Sequence, residues 1–164
     1  MKEKIIKNIK ELMPYIIILL VIAFVRTFII TPIKVNGSSM FQTLNGKEYM
    51  LLNKLGHIDR YDIVVVDTKD DELIKRVYGL PGEKIAIQNS NIYINDKKIE
   101  DKYAYGNTNS YDAITLKEDE YFVLGDNRLV SLDSRTIGPV KKKNIKGTTD
   151  FIIYPFNRFG ILKK

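Results

Sequence analysis

Ser39 and Lys75 are the two residues of this chain on which a reaction could be built. Serine is a weak nucleophile at its own pKa and needs an adjacent base. The usual partner, histidine, is present once, as His57 in Leu55-Gly56-His57-Ile58-Asp59. That stretch reads as a turn, and no Gly-x-Ser-x-Gly elbow accompanies it. A lysine can be the base if it loses its charge. Near its ordinary pKa it is only ~0.04% neutral at pH 7, and a drop of about three units, worth about 4 kcal/mol, would make it half neutral. The sequence offers a means. If Leu73–Val77 is a strand, side chains 73, 75 and 77 share a face. Lys75 then lies between Leu73 and Val77, where its charged form loses hydration. On periodicity alone, a lysine snorkelling from a sheet edge is the better fit, and Gly37-Ser38-Ser39 fits a plain turn.

The other polar residues narrow the chemistry further. There is no cysteine, which excludes thiolate zinc sites, disulfides and a cysteine nucleophile together. One histidine and scattered carboxylates make a transition-metal site a poor fit, and no cofactor is expected. Asp126 and Asp133 have Arg128 and Arg135 beside them, a pattern that suits ion pairs holding a loop better than cation binding. The net charge of +6 sits at the ends: residues 1–11 carry four lysines against two glutamates, and residues 140–164 carry seven basic groups against one acid. The middle is slightly acidic and shows no basic stripe with interleaved aromatics, so no nucleic-acid partner is expected. Basic ends suit an anionic membrane surface.

Two kinds of element must position these residues. Lys2, Lys4, Lys7 and Lys10 precede the unbroken apolar run Tyr15–Val25; Arg26 and Thr27 interrupt it before Phe28-Ile29-Ile30. From Tyr15 to Ile33 a helix would be about 28 Å long, enough for a bilayer core. Arg26 lies near one end and can snorkel. A secretory leader would show an A-x-A-like cleavage site, and a buried soluble helix a polar face; neither is present. Residues 1–33 are therefore expected to be a basic stub and transmembrane anchor, with the N-terminus cytoplasmic. Residues 34–164 are expected to form an extracytoplasmic β domain. Tyr61–Val66 is β-branched, Glu83–Gln88 and Asn91–Asn95 alternate across Asn89-Ser90, and Asn95-Asp96 marks a second turn. Pro81-Gly82 is a further turn, and Glu120–Leu124 and Thr148–Tyr154 are further strands. Closely spaced strands of this kind imply an antiparallel barrel or sandwich.

Three segments, in order, resemble the boxes of the bacterial type I signal peptidases. The family pattern S-M-x-P-T-L appears as Ser39-Met40-Phe41-Gln42-Thr43-Leu44, and K-R-(x)2-G-L-P-G as Lys75 to Gly82. G-D-N-R-x-N-S-x-D-S-R appears as Gly125 to Arg135 with one change. The resemblance implies a largely antiparallel β fold behind one membrane helix, no metal or organic cofactor, and exported preproteins with small residues at −1 and −3 as substrates. It implies that Ser39 attacks the scissile carbonyl and that Lys75 takes its proton. Ser131 would orient the Lys75 amine, and the Ser39 N–H would contribute to the oxyanion hole. Asp133 and Arg135 would pair to support the site, with Gly125 and Asp126 shaping it. Val35, Met40, Leu44 and Ile74 match positions lining the pockets for small substrate side chains. Lysine at position 75 resembles the bacterial and organelle type, since endoplasmic-reticulum and archaeal relatives carry histidine there. Only residues 84–124 separate the second box from the third, which resembles the compact Gram-positive form.

Two departures stand out. Gln42 replaces the family's proline, and Val130 its usual asparagine. If Gln42 merely loosens the loop, Gln42→Pro is expected to keep or raise activity, because proline lowers unfolded-state entropy where φ fits. Two rival readings accompany the enzyme. One is an inactive membrane-anchored paralogue acting as a binding module; the other is a self-cleaving repressor-type serine–lysine protease.

Overall fold

The structure, a computed structural model, describes residues 2–68 and 71–162, with residues 2–9 as backbone only. The side chains of Lys2, Lys4 and Lys7, and the terminal Lys163 and Lys164, lie outside the described residues. Helix α1 runs Lys2–Phe28. Its stretch Lys10–Phe28 is 19 residues, apolar and long enough to cross a bilayer, and none of it is buried against the rest of the chain. An apolar helix with no protein cover is stable only in an apolar medium.

The helix stops earlier than the apolar pattern implies. Residues Ile30–Lys34 are not helical but form strand β1. Pro32 cannot continue a helix, and it is tolerated in β1 because β1 is an edge strand. The helix end is tied to the β domain through its unsatisfied carbonyls: Thr31 Oγ1 donates to Arg26 O at 2.6 Å and Lys54 Nζ to Thr27 O at 2.7 Å. A cation there also complements the helix dipole.

Eleven further strands follow: β2 Tyr49–Asn53, β3 Ile63–Asp67, β4 Glu72–Gly79, β5 Lys84–Gln88, β6 Asn91–Ile94, β7 Lys97–Lys98, β8 Tyr111–Thr115, β9 Glu120–Leu124, β10 Val140–Lys141, β11 Ile145–Tyr154 and β12 Gly160–Ile161. Helix α2, Ser134–Ile137, is a single turn. The main sheet has the order β1-β2-β11-β3-β4-β9-β10, with β12 on β11, and the small sheet β7-β6-β5-β8. Every strand pairing among the described residues is antiparallel, as the sequence implied. The two hairpin turns also fall where expected. Asn89, Ser90, Asn95 and Asp96 all have positive φ, the backbone twist that matches paired strands.

Strand β4 is the element that matters most for the site. It lies between β3 and β9, and from Lys75 to Gly79 every residue is buried. Leu73 and Val77 pack with Val64, Val66, Tyr121 and Val123 on one face. On the other, Ile74 joins Val35, Met40, Leu44, Met50 and Ile63. The two sheets are joined by a polar cluster. Arg128 donates to both Asp101 oxygens (2.6 and 2.8 Å), to Thr108 Oγ1 (2.6 Å) and to Tyr78 Oη (2.8 Å). Burial raises the Tyr78 phenol far above its ordinary pKa despite the adjacent Arg128, so Tyr78 stays protonated and donates to Asp101 at 2.6 Å.

Candidate active site

The lysine is not at a sheet edge. Lys75 pairs with Val64 in the interior of the main sheet and is only 2% exposed. Its amine donates to Ser39 Oγ and to Ile74 O, each at 2.9 Å. Among the described residues no carboxylate lies within ion-pair distance of it. Burial pushes the Lys75 pKa down, against the opposing fields of Asp133, Asp126 and Asp71, from 10.5 to about 8. A base with its pKa near 8 sits in contact with a hydroxyl that needs one, on a half-buried serine within reach of solvent. His57 lies in a loop with an exposed side chain and pairs only with Asp59 at 3.6 Å.

The residues around this pair are held by arginines. Arg76, the next residue of β4, projects to the opposite face. It grips both Asp126 oxygens at 2.9 and 2.6 Å in a buried fork. Asp126 in turn accepts from Thr43 Oγ1 at 2.5 Å, which anchors the turn after Ser39. Arg135 grips Asp133 in the same way, at 2.8 and 2.9 Å. Burial alone would raise the Asp133 carboxyl, but Arg135 and the Gly125 N–H (3.0 Å) outweigh it and hold it below its ordinary value. Asp133 also caps helix α2 through the Arg135 N–H.

Gly125 is required by close approach rather than by its dihedrals. A Cβ there would lie 2.1 Å from Ser131 Oγ and 2.6 Å from Ser39 O. Two loops thus meet closely beside Ser39, and Asn127 completes the junction. Its N–H donates to Ser39 O at 2.9 Å and its Nδ2 to Ser38 O at 3.1 Å.

Not every expected residue sits as the resemblance implied. Ser131 makes no hydrogen bond to Lys75, whose amine donates to Ser39 Oγ and Ile74 O. Its hydroxyl is buried without a partner of hydrogen-bonding geometry, although it is near enough to help lower the Asp133 carboxyl. On geometry the hydroxyl is unpaired. Val35, Met40 and Leu44 are 1–2% exposed and Ile74 9%, so they form the floor beneath the site rather than open walls. Ile74 alone of the four also borders a cleft of about 130 Å³ with Ile33, Lys34, Asn36, Val65, Asp71 and Glu72. Val130 is 62% exposed and Gln42 is exposed; among the described residues neither is hydrogen bonded to Ser39 or Lys75.

Several supporting residues escaped the sequence reading. Tyr105 comes from the irregular segment between β7 and β8. Its N–H donates to Asp126 O and its carbonyl accepts from Arg128 N, and its ring packs on Phe41 at 5.4 Å. Nothing local in the sequence signals this long-range return. Arg76 and Thr43 were visible inside the matched boxes, but their union through Asp126 was not.

Gln42 overturns an expectation. Its φ is +77°, in the left-handed region, whereas proline is locked near −65°. The departure from the family pattern is therefore used by this loop, and proline does not fit it. Gln42→Pro is expected to lower stability by more than about 1 kcal/mol instead of leaving it unchanged. Thermal melting of the two proteins checks this, and an unchanged or raised Tm would contradict the loop geometry.

Comparison with known proteins agrees with this geometry. Residues 8–154 match the family model described as signal peptidase, peptidase S26. The chain is 38% identical over 169 residues to signal peptidase I S of Bacillus subtilis, covering 92% of each. It is 36% identical over 159 residues to a signal peptidase I of Bacillus amyloliquefaciens, covering 87% of this chain and 86% of that one. The crystal structure of a signal peptidase I from Enterococcus faecalis is 30% identical with a TM-score of 0.51, covering 57% of this chain and 97% of that chain. With its fold, its boxes and its relatives in agreement, the chain belongs to the signal peptidase family, peptidase S26.

Proposed function

We propose that this protein is a membrane-anchored serine endopeptidase that removes N-terminal signal peptides from exported preproteins, with Ser39 as nucleophile and Lys75 as general base. The observation that carries the mechanism is the 2.9 Å contact between Ser39 Oγ and a buried amine whose pKa is lowered to about 8. Once Lys75 is neutral, the Ser39 hydroxyl donates to its lone pair along the same line. Lys75 takes that proton as Oγ attacks the scissile carbonyl, and the Ser39 N–H supports the resulting oxyanion. The proton passes to the leaving amine, which departs with the mature protein's N-terminus. Lys75 then deprotonates a water that hydrolyses the acyl-enzyme and regenerates Ser39. Ile74 O fixes the amine from the opposite side throughout.

Small residues at −1 and −3 of the substrate suit an apolar floor made of Val35, Met40, Leu44 and Ile74. The domains of the account are the anchor and the peptidase unit, with the boundary at the end of α1. Four lysines precede the apolar stretch, which supports a cytoplasmic N-terminus and an extracytoplasmic β domain. The inactive-paralogue reading draws no support from Gln42 or Val130, since neither is hydrogen bonded to Ser39 or Lys75. The repressor-type reading is disfavoured by the apolar helix before the β domain, which the rest of the chain leaves uncovered.

Incubating the purified full-length chain with a preprotein and sequencing the new N-terminus tests the reaction, with Ser39→Ala as the inactive control. The acidic limb of kcat/KM is expected near pH 8, with activity rising as pH increases and Lys75 deprotonates. Lys75→Arg keeps the charge but cannot deprotonate, so it is expected to lose activity by at least about 10³-fold. Wild-type activity in Lys75→Arg would exclude lysine as the base. For orientation, protease added outside intact cells is expected to digest the domain after Phe28 and spare the N-terminus; the reverse pattern would refute the topology.

A further inference from the structure

The turn that follows the nucleophile is strained at both ends. Gln42 and Lys47 have φ of +77° and +78°, and non-glycine residues persist there only when their surroundings over-determine them. One restraint has been described: Thr43 Oγ1 is held by Asp126, which Arg76 fixes. A second comes from the far end of the chain. Arg158 lies in the 3₁₀ turn Phe156–Arg158 after β11, beyond residue 154, where the family match ends. One of its terminal nitrogens donates to Thr43 O at 2.9 Å, and the other pairs with Glu48. The Glu48 side chain is 3% exposed and also accepts from the Asn45 N–H at 3.1 Å. A single planar fork therefore holds a carbonyl inside the turn and the carboxylate that closes it. From there to the nucleophile the path is short, since Thr43 N and Leu44 N both donate to Met40 O at 3.1 and 2.8 Å.

We propose that Arg158 is a positioning residue for Ser39, clamping the Gln42–Lys47 turn in its left-handed conformations from outside the family's matched span. This rests on the serine–lysine reading above. Its effect is on where Ser39 sits, and it leaves the burial that tunes Lys75 untouched.

The test compares the full-length wild type with Arg158→Ala, Arg158→Lys, Gln42→Gly and the double variant Gln42→Gly/Arg158→Ala. Arg158→Ala is expected to lower kcat on a preprotein by about tenfold or more, because small misplacements of a reacting atom are costly. KM stays within about twofold and the acidic limb stays in place. Arg158→Lys is expected to remain impaired, since a point charge cannot grip both acceptors. Adding Gln42→Gly to Arg158→Ala is expected to restore most of the lost kcat, because glycine takes a positive φ without strain. Hydrogen exchange in residues 42–48 reads the same clamp without substrate and should quicken in both Arg158 variants. Wild-type kcat in Arg158→Ala, a loss that Gln42→Gly does not restore, or unchanged exchange in that turn would each overturn the proposal. If Arg158→Ala does not fold, Arg158→Lys carries the same exchange expectation. A wild type that cleaves no preprotein would refute the assigned reaction, while the exchange result still decides the clamp.

Discussion

An amine buried in the middle of a β sheet, without a carboxylate partner among the described residues, is the constraint to which the rest of this structure answers. Lys75 is 2% exposed, and among the described residues it is hydrogen bonded to a hydroxyl and a carbonyl. Such a group costs stability whenever it is protonated. The sign follows from linkage. With a folded pKa of about 8 against 10.5 unfolded, the unfolded chain binds more protons between those values, so stability rises with pH across that window. Below pH 8 the full cost is present. The site therefore sits against the stability of its own domain, as catalytic groups with displaced pKa values commonly do.

The nearby carboxylates oppose the effect of burial on the amine, and their use elsewhere limits that opposition. Asp126 and Asp133 both raise the Lys75 pKa, and left unpaired they would do so more strongly. Each is instead held by an arginine in a two-pronged fork, Asp126 by Arg76 and Asp133 by Arg135. The arginines offset the negative field at Lys75 and fix the loops that carry the acids. Arg76 does this from the residue next to the base, and strand alternation sends it to the opposite face. Neighbouring lysine and arginine on one interior strand thus differ: burial lowers the pKa of the lysine, while the arginine is paired with Asp126.

Much of this was legible in the sequence because it depends on local rules. The alternation Leu73-Ile74-Lys75-Arg76-Val77 gave the strand and its faces, and Asn89-Ser90 and Asn95-Asp96 gave both hairpin turns with the backbone twist they need. The boxes marked Ser39 and Lys75, which the fold brings to 2.9 Å, and the acids Asp126 and Asp133, which it pairs with arginines. What was not legible depends on contacts between distant segments or on one dihedral. Ile29–Ile33 looks like more apolar helix until pairing with β2 and the shape of Pro32 are considered. Ser131 matched a family position, yet its reach to the amine depends on a fraction of a turn that no spacing encodes. The same holds for Gln42, whose φ carries the departure, and for Tyr105 and Arg158, which arrive from 66 and 119 positions after Ser39 in the sequence.

The account stands on the protonation state of one amine. Its direct measurement is the titration of Lys75 Nζ by ¹⁵N NMR in the full-length Ser39→Ala protein, with Lys75→Arg used to assign the signal. A midpoint near 8 is the expected result, because burial of the amine persists without the Ser39 hydroxyl. A midpoint near 10.5, the ordinary value for lysine, would mean that the amine is charged wherever the enzyme works. It would then be unable to act as the base.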